Sequence, residues 1–160
     1  MKQFLLSLML LISATVSGIS QEKVTIKNKV FEVLYSQELE QPLVIKYHST
    51  NRPTNVNRGT MDFYKEPNIK TSDADDYKAN IYDKGHGAPA ASFSDNMENL
   101  SVLITIHFDN PIKRIVTNAA IPSYLEKHIY FEKQGKWKCY VFLNQKPQYK
   151  WQELEKVCEP

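Results

Sequence analysis

The chain has 160 residues, 42% of them hydrophobic and 24% charged, with a formal charge of +2. That length and balance suit one globular domain with a modest core. They exclude a repeat array, a low-complexity chain and a protein that captures polyanions by bulk charge alone.

Residues 1–20 read as a secretory signal. Lys2 gives the positive start, residues 4–12 the apolar run, and Gly18 and Ser20 the small residues before a cut at Gln21. The run is too short to span a bilayer. The expected mature chain is a single domain of residues 21–160, with no membrane segment and a secreted or periplasmic location. Removing Lys2 takes the charge from +2 to +1, so any phosphate-binding surface has to be local.

Residues 24–35 and 43–48, rich in Val, Ile, Leu and Tyr, are expected as strands broken at Gln41-Pro42. Residues 49–59 are polar and turn-prone, a loop with Arg58 near its end. A helix start is expected over residues 72–80, with Ser72 as cap and Asp73, Asp75 and Asp76 in its first turn. A cap explains these three carboxylates more simply than a metal cluster does.

Residues 94–100 are expected as a short helix. Residues 102–108 alternate as a strand, with His107 a packed strand histidine, and residues 112–117 follow as another. Gln134-Gly135 reads as a hairpin turn between residues 127–132 and 138–143. Trp151, Leu154 and Val157 stand at helical spacing, so an amphipathic helix closes the chain over residues 148–157. Seven lysines from Lys127 to Lys156 make the C-terminal third basic, as a solvated surface or a binding face. Cys139 and Cys158 are the only cysteines. In an oxidising compartment such a pair invites a disulfide; two buried thiols are the alternative.

The chemistry concentrates in residues 82–93, Y-D-K-G-H-G-A-P-A-A-S-F. His86 trades protons near neutral pH. Gly85 and Gly87 beside it permit unusual backbone conformations and close approach. Asp83 can orient an imidazole and Lys84 can meet a phosphate. An ordinary turn uses the same residue types.

This stretch resembles the D-R-G-H motif of the DNA/RNA non-specific endonucleases, the ββα-metal or His-Me finger class, with Lys84 at the arginine position. Asn57-Arg58, Met61-Asp62-Phe63-Tyr64 and Asp76-Tyr77 resemble the family's run into the motif. Ile121-Pro122-Ser123-Tyr124, with Lys127 and Ile129, and the segment from Cys139 to Asn144 resemble its later strands. The resemblance implies an α+β fold, a mixed or antiparallel sheet with few helices. It also implies hydrolysis of DNA and RNA phosphodiesters without reading base sequence. His86 would be the general base, Asp83 and Lys84 its orienting and phosphate-facing neighbours, and Arg58 the grip on the phosphate. One Mg²⁺, held by an asparagine side chain and otherwise hydrated, completes the family's site.

The sequence departs from the family where that asparagine belongs. The family carries it on a helix beyond the histidine, in the pattern N-x-x-x-W-x-x-x-E. Only 34 residues separate His86 from Ile121. One stretch has the spacing, Asn118, Pro122 and Glu126, but a proline inside a helix costs about 3 kcal/mol. Asn118 is thus the metal-ligand candidate by spacing and a loop residue by context. Two functions follow: an exported metal-dependent endonuclease, or a shortened, catalytically dead relative that binds nucleic acid or protein weakly.

Overall fold

Among the described residues, seven strands form one sheet in plain sequential order. A computed structural model describes residues 23–49, 66–72, 75–78, 80–82, 85, 87, 99–145 and 155–156. The strands are β1 (Lys23–Lys27), β2 (Phe31–Ser36), β3 (Gln41–Ser49), β4 (Leu100–His107), β5 (Tyr124–Phe131), β6 (Lys136–Leu143) and β7 (Glu155–Lys156). Every pairing is antiparallel, so the antiparallel form of the expected sheet is the one observed.

The first apolar stretch is a hairpin and not one strand. Asn28 interrupts it, because its Oδ1 accepts hydrogen bonds from the backbone N–H groups of Val30 and Phe31 at 2.8 and 2.9 Å. Such a side chain offers the backbone an alternative to the ladder and turns the chain. Pro42 does not break a strand either. It is the second residue of β3, where the register against β2 shifts between Leu34 and Tyr35. An irregularity of this kind is where a residue lacking N–H is tolerated.

Strands β3 and β4 carry the core. Ile45, Tyr47 and Ser49 are buried while Lys46 and His48 are exposed, and β4 buries Leu100, Val102, Ile104 and Ile106 in strict alternation. Ile45 lies opposite Ile104 and Tyr47 opposite Val102, so these side chains share one face. Phe31 and Val33 from β2, and Leu125, Ile129 and Phe131 from β5, extend it. Each fully buried aliphatic side chain contributes about 1.5–3 kcal/mol. The other face, bearing Lys46, His48, Ser101 and Leu103, is open.

The β5–β6 hairpin turns where the sequence marks it. Gly135 has φ of +60°, and its N–H donates to the Phe131 carbonyl at 2.9 Å. Several other expectations need correction. Among the described residues of 72–80, Asp75–Tyr77 forms a single 3-10 turn, and the Ser72 hydroxyl donates to the Glu40 carbonyl instead of capping. Leu100, the end of the expected helix over residues 94–100, begins β4; residues 94–98 lie outside the described residues.

Residues 112–117 form no strand. Arg114 bridges Ala120 around a turn. Glu155 and Lys156, expected in a closing helix, are extended against Tyr140 and Cys139. The rest of that expected helix lies outside the described residues. Cys139 is disulfide-bonded; Cys158 lies outside the described residues. No helix among the described residues is long and apolar enough to cross a membrane.

Candidate functional site

Residues 50–99 stand between β3 and β4 in sequence, and the histidine motif belongs to this interval. Its described parts are tied to the β2–β3 turn. The Lys70 backbone N–H donates to Gln37 Oε1 at 2.9 Å, and the Lys70 ammonium pairs with Glu40 at 2.6 Å. Glu40 is buried, so its carboxylate depends on that partner. Gln41 Nε2 donates to the Tyr77 hydroxyl at 3.3 Å. Across this junction Tyr35 is buried, and burial pushes its phenol above the usual tyrosine range, against a lowering hydrogen bond from the Ser72 backbone.

From the 3-10 turn the chain runs directly into the motif. Asn80 Nδ2 donates to the Asp76 carbonyl at 3.4 Å, and Asn80 Oδ1 accepts from the Tyr82 N–H at 2.7 Å. Gly87 then meets the core face of the sheet. A Cβ added there would collide with the terminal methyl of Ile45, while one added at Gly85 would meet nothing within 4 Å. Neither glycine has a positive φ. The pair was expected to supply unusual backbone conformations; what Gly87 supplies is close approach to β3.

His86, Asp83, Lys84 and Arg58 lie outside the described residues. Asn118 is exposed in the turn between Arg114 and Ala120, with φ of +88°. Its N–H donates to the Ile115 carbonyl at 3.0 Å, and its own carbonyl accepts from Arg114 Nη1 at 2.8 Å. Asparagine suits this turn because its short polar side chain tolerates the left-handed conformation. Among the described residues no group of three His, Cys, Asp or Glu side chains is placed to hold a metal ion. His107, as expected, is a packed strand histidine: it stacks on Tyr124 at 4.2 Å and reaches Glu126 at 3.3 Å.

Sequence reasoning missed Ile45 as the seat of the motif loop. The signal was present in the alternation V-I-K-Y-H-S, which puts Ile45 on the apolar face, but nothing local says what rests on it.

The profile of the DNA/RNA non-specific endonuclease family matches residues 11–159. The chain belongs to that family. No curated protein matches it, whereas sixteen chains of solved structures do. One is from a crystal structure of an EndoG/EndoGI complex, described as showing the mechanism of EndoG inhibition. It has a TM-score of 0.64 and 17% identity, and the match covers 83% of this chain and 80% of that one. At that identity the likeness concerns the fold alone, which in the described residues of this chain is an antiparallel sheet with almost no helix. That family consists of metal-dependent nucleases. The motif that Gly87 seats is this chain's most chemically loaded stretch.

Proposed function

We propose that this chain is an exported endonuclease that hydrolyses DNA and RNA phosphodiesters without reading base sequence. The supporting observation is the seating of Gly87 on Ile45, which ties the motif to the buried core of the sheet. A catalytic side chain carried next to such an anchor starts from a preorganised position. In this reading His86 takes the proton of the attacking water and Asp83 orients the imidazole. Arg58 and Lys84 face the phosphate, the arginine in a bidentate grip that a lysine does not reproduce. Phosphate contacts carry no sequence information, so both nucleic acids serve.

A plasmid-nicking assay on the secreted form of the chain, with and without Mg²⁺, tests this reading. Cleavage should appear only with the cation, and His86→Ala should reduce it by at least about a hundredfold. Activity that survives the substitution removes His86 from the mechanism.

One observation favours the second reading, a catalytically dead relative that binds nucleic acid or protein weakly. β4 begins at Leu100, so the sheet resumes soon after the motif and the interval is short for the family's asparagine helix. A folded chain that leaves plasmid intact with Mg²⁺ selects this reading.

A further inference from the structure

The open face of the sheet holds a groove of about 540 Å³, enclosed by the β1–β2 turn, β3, β4 and the start of β6. It is on the side opposite Gly87. Gly87 rests on buried Ile45, whereas Lys46 and His48, next along β3, are exposed on the other side.

Three lysines line the groove, Lys27, Lys29 and Lys46, against one carboxylate, Glu32. Lys27 already holds Glu32 at 2.8 Å, which leaves the charge of Lys29 and Lys46 in excess. Glu132 lies at the rim, bound by the Ser101 hydroxyl at 3.0 Å, and His48 Nδ1 meets the same hydroxyl at 3.1 Å. Trp137 forms the far wall, 39% exposed. It leans on Tyr130, with ring centroids 5.0 Å apart.

Exposed indole beside lysines that outnumber the carboxylates is the combination that holds an unpaired strand: bases stack on the aromatic face while ammonium groups meet the phosphates. An acidic peptide would satisfy the lysines but has no repeating planar groups for the indole. We propose that this groove binds a short stretch of single-stranded nucleic acid, one base stacked on Trp137 and the adjoining phosphates on Lys46 and Lys29. The surface is on the side opposite Gly87 and works whether or not the chain cleaves.

Fluorescence anisotropy of a labelled short oligothymidylate, titrated with the full chain in EDTA, tests it. Trp137→Ala and Lys46→Glu should each weaken binding about tenfold, and Trp137→Phe should retain most of it. Lys29→Glu, on the exposed turn, supplies a variant with little risk to folding and should weaken binding in the same direction. Raised salt should weaken the wild type more than the lysine variants. Wild-type affinity in all these variants overturns the proposal, and so does a folded wild type that binds no oligonucleotide. Loss confined to Arg58→Ala or His86→Ala also overturns it, because the strand then sits on the motif side. The chelator separates this test from the plasmid assay. Binding without cleavage keeps the groove and removes the nuclease reading, and cleavage without groove binding does the reverse.

Discussion

Ile45 determines how closely the motif loop can approach the sheet. Gly87→Ala puts a methyl group into the space of the Ile45 terminal methyl. That methyl is the far end of a side chain, so relief by rotation keeps the cost near the low end for overpacking, about 1 kcal/mol. Gly85→Ala, facing open space, should be neutral on this account. Thermal melts of the two variants check the contrast. Adding Ile45→Val, which removes the methyl in question, should make Gly87→Ala less costly than it is in the wild type.

Tyr35 gives a second prediction at this scale. Burial raises its pKa above the 10.0 of an ordinary tyrosine, so the fold favours the neutral phenol. The stability that depends on this is fully present below pH 10.0 and is lost as pH rises beyond it. Melting temperature should therefore fall on the alkaline side of pH 10.0, and Tyr35→Phe should flatten that fall.

Among the elements, the β5–β6 turn is where sequence and structure agree most closely. Gly135, at φ of +60°, should cost about 1 kcal/mol when replaced by alanine and less when replaced by asparagine; chemical denaturation of both variants measures this. The turn was legible because glycine between two alternating runs has a local cause. β4 was legible for the same kind of reason, since residues 102–108 alternate without interruption.

Residues 112–117 misled because their β-branched composition is spent on a turn. The Ile115 N–H donates to the Ala119 carbonyl at 3.0 Å and the Ile121 N–H to the Lys113 carbonyl at 2.8 Å. Arg114 ties the piece to the Glu38 carbonyl at 3.0 Å. The expected cap at Ser72 failed for a tertiary reason too: its hydroxyl serves a carbonyl 32 residues away in sequence. Local residue preference cannot register such a partner.

For the whole molecule, the motif was readable because its chemistry is contiguous, whereas the groove on the open face was not. Lys27, Lys46, Ser101 and Trp137 come from four strands, and only sheet order brings them to one surface. Family membership was readable through the same contiguous residues, and it rests now on a match over residues 11–159.

The interval between β3 and β4 also has a meaning in time. β5 and β6 are joined by a short turn, and so are β1 and β2, so each of these hairpins forms from neighbours in sequence. The two most buried strands can zip together only after residues 50–99 have been closed into a loop, and closing so long a segment delays the contact. Refolding should show this order. Gly135→Ala should slow refolding in proportion to its destabilisation, and Ile45→Val should chiefly speed unfolding. Assembly would then run from the C-terminal hairpin inward, and the motif loop would find its seat last.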